Sequence, residues 1–265
     1  HHVSYESISH IQADVAQPRY RQVAIGHPAV EVIEEGGILH MRSLEALAPR
    51  PERLLDRLLH WAQVRPGQTF IAARDKCGEW RHVSYAQMLE DVRAIAQSLL
   101  AYDLCAERPL AILSGNDIEH LQMALGAMYA GIPYCPVSPA YSLLSQDFAK
   151  LRHVCDLLQP GLIFVSDTVP FKRAIDAVLP GTTPLVAVRG DISGRAQVSF
   201  ASLLEQPGAA EAEVAFKASG PDSIAKFLFT SGSTKLPKAV ITTQRMLCAN
   251  QQMLLQTFPV FAEEP

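Results

Sequence analysis

Apolar residues recur along this chain at two spacings, and the alternation between them predicts its architecture. From Pro51 to Gln63, Leu54, Leu55, Leu58, Leu59 and Ala62 fall at helical intervals with Arg53, Asp56 and Arg57 between them, which predicts an amphipathic helix. Phe70–Ala73 and Trp80–Val83 flank a polar DKCGE turn and predict a β-hairpin. Ser84 then stands as a helix cap, with Gln87 completing a capping box, and Met88, Leu89, Val92, Ile95, Ala96 and Leu99 continue one apolar face. Beyond this helix the pattern becomes regular. Leu110–Leu113 is a short apolar strand, SGND (Ser114–Asp117) a turn with a helix cap, and Ile118–Ala130 a helix ended by Gly131. Ile132–Val137 is again a strand, Leu144–Leu158 a helix stopped at Pro160 and Gly161, and Leu162–Val165 a strand. Phe171–Leu179 and Leu185–Val188 repeat the unit. Strand, helix, strand in succession requires parallel pairing through right-handed crossovers, so the fold class is α/β, a largely parallel sheet flanked by helices.

The remaining segments carry weaker signals. Residues 1–48 form an N-terminal extension, in which Glu34–Gly37 marks a turn between strand-like runs at Val30–Ile33 and Ile38–Met41. Gly190–Gly220, rich in Ala, Ser, Glu and Gly, is expected to be a surface connection with one short element near Phe200–Leu204. After a strand at Ala239–Thr242, Thr242 or Thr243 caps a helix whose Met246, Leu247, Met253 and Leu254 are expected to pack on the sheet.

Composition narrows the function classes. The 265 residues are 48% hydrophobic and 19% charged, which suits a folded chain with a sizeable core. A net charge of −4 leaves no cationic excess for a nucleic-acid backbone. No apolar run is long enough for a membrane span and the N-terminus lacks a signal-peptide plan, so the expected location is cytoplasmic. The five cysteines, Cys77, Cys105, Cys135, Cys155 and Cys248, are scattered without a CxxC pair and suit reduced packing thiols. His153 and Cys155 are two apart, but a metal site needs more ligands, and none is assigned.

One stretch demands a chemical explanation. Ile224–Phe229 has the length and aromatic content of a buried strand, and TSGSTKLPKAV follows from Thr230. Ser231, Gly232, Ser233 and Thr234 add little to any core, but their small side chains let several backbone N–H groups and hydroxyls converge on one anion. Lys235 and Lys238 place positive charge beside those donors, and Pro237 constrains the direction in which Lys238 leaves. The arrangement suits a polyphosphate, and the candidate residues for binding it are Thr230, Ser231, Gly232, Ser233, Thr234, Lys235 and Lys238. The plain alternative is a solvated turn between two strands. No GxG occurs for a dinucleotide site, the lysines follow the hydroxyl cluster rather than a Walker GxxxxGK, and no GxSxG elbow makes Ser231 or Ser233 a nucleophile.

The order TSGSTKLPKAV resembles the phosphate-binding signature of the adenylate-forming enzymes, the superfamily of acyl-CoA synthetases, luciferases and peptide-synthetase adenylation domains. It departs from that signature at Lys235 and Ala239, where glycines are usual. If the first position needs a positive φ, lysine costs about 1 kcal/mol relative to glycine. The added charge would instead assist phosphate binding. The helix at Pro51–Ala62, VSYAQML from Val83, the run from Ala111 to Ser142, and the polar spacing after Ile241 also stand in family order, so the resemblance covers about residues 50–258. Within the family, STKLPKAV and TTQRMLCANQQ are most similar to feruloyl-CoA synthetases. The resemblance implies the layered N-terminal subdomains of that enzyme fold, with ATP, Mg and coenzyme A as cofactors of the full-length enzyme and a small carboxylic acid as substrate. No nucleic acid or membrane partner is implied. It further implies that the acyl pocket, the ribose-binding Asp, the Mg-binding Glu and the lysine of a C-terminal domain follow the segment matching Phe258. The chain is thus expected to be an N-terminal fragment, missing the remainder of its own chain, with weak or absent adenylation alone. A non-catalytic nucleotide- or anion-binding module, a structural partner domain, and a synthetase for another fatty or aryl acid are the alternatives.

Overall fold

The computed structural model describes residues 22–26, 29–230 and 236–262, and they divide between two compact units. The larger unit, Leu47–Gln252, holds the sheet. The smaller takes in the described residues before Leu47 and those from Met253.

In the smaller unit, β1 (Val30–Glu35) and β2 (Ile38–Ser43) pair antiparallel through a Gly36–Gly37 turn. Both glycines have positive φ, +58° and +79°, the backbone that a two-residue hairpin turn of this hand needs. Gly26 N–H donates to the Thr257 carbonyl at 2.8 Å, and Gln256 Nε2 donates to Glu45 at 2.8 Å.

In the larger unit, α1 (Asp56–Val64) starts later than the apolar spacing predicts. The Asp56 carboxylate accepts from the Arg53 backbone N–H and Nε, both at 3.1 Å, and holds the preceding residues in turns. β3 (Thr69–Arg74) and β4 (Trp80–Ser84) form the expected hairpin, its turn closed by Asp75 Oδ1 accepting from the amides of Cys77 and Glu79. Helix α2 (Tyr85–Leu99) continues into a short 3-10 turn, Leu100–Tyr102. Ser84 Oγ caps α2 by accepting from Gln87 N–H at 3.2 Å, but Gln87 turns its amide to Asp91, so only one half of the capping box forms.

The sheet is built from β5 (Leu110–Leu113), α3 (Ile118–Tyr129), β6 (Tyr134–Pro136), α4 (Ala140–Leu143), α5 (Ala149–Leu158), β7 (Leu162–Asp167), α6 (Thr168–Val178) and β8 (Leu185–Arg189). Then come β9 (Gln197–Ser199), α7 (Phe200–Leu203), α8 (Ala210–Ala218), β10 (Ile224–Thr230), β11 (Lys238–Thr243) and α9 (Gln244–Thr257), with a closing 3-10 turn at Pro259–Ala262. The seven-stranded order is β11-β10-β6-β5-β7-β8-β9, parallel throughout except for β11. The central strands are continuously apolar because both faces are covered. Leu110, Ile112, Leu162, Phe164 and Val186 face one cluster with α2, α3 and α8, while Leu113, Ile163, Val165, Leu185 and Ala187 face the other with α5 and α6.

Three further expectations are revised. The helix expected over Leu144–Leu158 does not begin until Ala149, and a separate short helix, α4, precedes it. Ser145 Oγ accepts from Phe148 N–H and Asp147 Oδ1 from Ala149 N–H, local bonds that compete with helix continuation, and Phe148 takes φ +55°. The segment Gly190–Gly220 is more than a connection, since β9 ends the sheet and α8 buries Ala212 and Phe216. Phe216 stacks on Tyr129 of α3 at 4.4 Å, a contact that an Ala-rich helix of weak periodicity does not advertise. In α9, Gln244, Cys248 and Gln252 are the buried positions, while Met246 and Met253 stay about half exposed.

Candidate functional site

Strand β10 brings the hydroxyl-rich loop to the sheet. Ala225 and Phe227 bury into opposite core clusters, and Lys226 pairs in parallel with Tyr134 of β6. Lys226 is half-buried, and that desolvation lowers its pKa. β11 returns antiparallel with Phe227 opposite Ile241, Phe229 opposite Ala239, and Thr230 opposite Lys238 at the end of the ladder. The two feet of the loop are therefore fixed across from each other. Because β5 to β8 and β10 run parallel, Thr230 lies at the carboxyl edge of the sheet with Leu113, Pro136, Asp167 and Arg189, the edge at which open α/β sheets take ligands.

Of the predicted nucleotide-binding residues, Thr230 and Lys238 are brought together and both are exposed. Ser231, Gly232, Ser233, Thr234 and Lys235 lie outside the described residues. A hydroxyl and an ammonium at the mouth of a loop built from Ser, Gly and Thr form a donor set that fits a phosphate anion. Neither Thr230 nor Lys238 suits a magnesium ion, one being a weak neutral oxygen and the other a cation.

The loop returns to the sheet through Pro237, which is buried. Its carbonyl lies 2.9 Å from His153 Nε2 of α5; since a carbonyl only accepts, that nitrogen carries the proton and donates it. Lys238 and His153 line one cleft of about 730 Å³ with Leu157, Phe227, Pro237 and Ile241. The sequence offers His153 only as a metal partner of Cys155, and the two engage different surroundings. Cys155 is buried in the core, where desolvation pushes its thiol up to about 12. The one sequence hint to His153 is its place beside the apolar stripe Leu151, Val154, Cys155 and Leu158; nothing local connects it to a carbonyl 84 residues on.

The SGND turn after β5 has a structural role, though through another side chain than expected. Asp117 occupies the N-cap position of α3 with extended backbone and makes no cap hydrogen bond. His120 closes the turn instead, its Nδ1 lying 3.0 Å from the Gly115 carbonyl and 2.8 Å from Ser114 Oγ. Burial lowers the pKa of His120 from its ordinary 6.5, with the Gly115 carbonyl and Asp117 opposing the shift.

The fold is that of the N-terminal part of the adenylate-forming enzymes. A fatty acyl-adenylate ligase from L. pneumophila, solved with acyl adenylate and pyrophosphate, superposes with a TM-score of 0.56 at 19% identity over 77% of this chain and 32% of its own. The adenylation domain of a keto acid-selecting peptide-synthetase module superposes with a TM-score of 0.60 at 19% identity, over 77% of this chain and 34% of its own. The sequence profile of the AMP-binding enzyme family matches residues 58–263, and the chain belongs to that family. Among curated relatives, the phosphinothricin tripeptide synthetase of Streptomyces viridochromogenes is 24% identical over 82% of this chain and 18% of its own length. The indoleacetate–CoA ligase of Aromatoleum aromaticum is 26% identical over 71% of this chain and 34% of its own. The chain thus spans about a third or less of the length of these relatives. Among the described residues no helix is long and apolar enough to cross a membrane.

Proposed function

We propose that this chain is the phosphate-handling part of an ATP-dependent acid ligase, and that residues 49–265 are the beginning of its AMP-binding domain. The observation that carries the reading is the TSGSTKLPK loop, anchored with Thr230 opposite Lys238 at the carboxyl edge of a parallel sheet. In the reaction, a carboxylate oxygen of the substrate attacks the α-phosphorus of ATP, the bond from that phosphorus to the bridging oxygen breaks, and pyrophosphate leaves with the electron pair. Charge accumulates on the leaving group as the bond breaks. Thr230, the backbone and hydroxyls of Ser231–Thr234, Lys235 and Lys238 hold those oxygens, and their contribution grows toward the transition state. Magnesium, when bound with ATP, neutralises part of the same phosphate charge. The acyl group then passes to a thiol: the sulfur, having lost its proton, bonds the acyl carbon as the bond from that carbon to the phosphate oxygen breaks and AMP leaves.

The acid is a hydroxycinnamate such as ferulate and the thiol is that of coenzyme A, on the likeness of STKLPKAV and TTQRMLCANQQ to feruloyl-CoA synthetases. The match to the tripeptide synthetase over 82% of this chain favours a second acceptor, a carrier-protein thiol. ATP–pyrophosphate exchange by the whole protein, scanned over ferulate, other aryl acids and fatty acids, tests the first step and names the acid. Release of free coenzyme A thioester then separates the two acceptors. Lys238→Ala is expected to lower exchange about 10²-fold, the scale of losing one charge-stabilising donor. Exchange at the wild-type rate in that variant would refute the phosphate role.

A further inference from the structure

We propose that His153 is a positioning residue for this loop: its Nε2–H clamps the Pro237 carbonyl and thereby sets where Lys238 begins. The inference rests on the reading of the loop as a phosphate site. The β10–β11 ladder ends at the pair Thr230 and Lys238, so the next group on the returning strand, the Pro237 carbonyl, lies beyond its register. Proline has no N–H, which leaves that carbonyl as its only backbone hydrogen-bonding group, and a buried carbonyl requires a donor. His153 supplies one at 2.9 Å. The donor is itself held firmly, because Leu151, Val154, Cys155 and Leu158 of the same helix are locked in the core. The Pro237 carbonyl carbon is bonded to the Lys238 nitrogen, so fixing that peptide plane fixes the path on which the Lys238 side chain departs. His153 and Lys238 line the same cleft, which places clamp and cation side by side.

The test compares His153→Leu, which fills the space without a donor, with His153→Gln, whose amide can restore one. Hydrogen–deuterium exchange is read at residues 236–240 in the 265-residue chain, and ATP–pyrophosphate exchange is read in the whole protein. The Leu variant is expected to speed amide exchange there about fivefold to tenfold, the worth of one lost hydrogen bond. Its kcat for adenylation is expected to fall about tenfold while KM for the acid stays unchanged, since displacement of a catalytic cation acts on the leaving group. The Gln variant is expected to recover both readouts. Should the Leu variant fail to fold, His153→Asn, polar but too short to reach, takes its place. Unchanged amide exchange overturns the clamp. Faster exchange with wild-type adenylation overturns its catalytic consequence. A wild-type protein that adenylates no acid sinks the ligase reading and the catalytic half of this inference, while exchange data still decide the clamp.

Discussion

Replacing Gly126 by alanine provides a sharp test of how α2 and α3 pack beneath the sheet. In an exposed helix the change gains about 0.8–1.0 kcal/mol from helix propensity. Here an added Cβ would stand 2.4 Å from Cγ2 and 2.8 Å from Cβ of Ile95, both far inside contact distance. Ile95 is fully buried, and its β-branched side chain cannot swing aside. One of the close atoms is a Cβ, so relief requires the helix backbones themselves to separate. Overpacking of this kind costs about 1–3 kcal/mol, and a backbone-limited clash belongs toward the upper end. Set against the propensity gain, the net expectation is a loss of about 1–2 kcal/mol. Urea unfolding should show a midpoint lowered by roughly 0.5–1 M with little change in slope. Gly67, with open space around its would-be Cβ, is the control, and Gly67→Ala should be neutral or slightly stabilising. A Gly126→Ala protein as stable as the wild type would refute the close approach.

Polar groups in the same helical layer supply two more tests. Tyr129 donates to Glu213 at 2.6 Å and accepts from Arg93 Nε at 3.2 Å, while Arg93 and Glu213 also pair directly at 2.8 Å. Tyr129→Phe should therefore cost only about 1 kcal/mol in urea unfolding, because the ion pair survives; a cost near zero would show that the hydroxyl adds nothing. Burial raises the pKa of Asp91 above its ordinary 3.8, even though Gln87 and Gln122 donate to its carboxylate. With the folded pKa above the unfolded one, its contribution is most favourable below about 3.8 and is lost as pH rises through the folded value. The stability of wild type minus Asp91→Asn should accordingly fall as pH is raised from below about 3.8 to neutrality, and a flat difference in urea midpoints would contradict the burial account.

The parallel core is legible in the sequence because its strands are short, apolar and separated by helices with clear stops. Leu110–Leu113 forms a strand residue for residue as its apolar run predicts, and Gly131, at φ +70°, ends α3 where the pattern places it. Elements decided by a single side chain are not legible. The break before α5 depends on Ser145 and Asp147 bonding nearby amides, and α8 is held by Phe216 on Tyr129 across the layer. The loop is visible because a run of Ser, Gly, Ser and Thr has no packing use. Its anchor His153 is not, because that hydrogen bond joins segments 84 residues apart.

On the phosphate role proposed above, the strand that follows TSGSTKLP accounts for the lysines of this stretch. In a phosphate loop that opens onto a helix, the helix N-terminus presents unpaired N–H groups and a partial positive charge to the anion. Here the next element is β11, and a strand has almost no net dipole, its N–H groups pointing sideways into the ladder with β10. No helix terminus lends its partial charge on this side of the loop. On the proposed role, that charge has to come from side chains. Lys238 is the first residue of β11, set opposite Thr230 by the register, which is where a helix N-terminus would otherwise act. A side-chain ammonium, unlike a helix terminus, is aimed only as well as the peptide before it is held. In this fold that peptide is Pro237, and its carbonyl is bound by a helix that lines the same cleft.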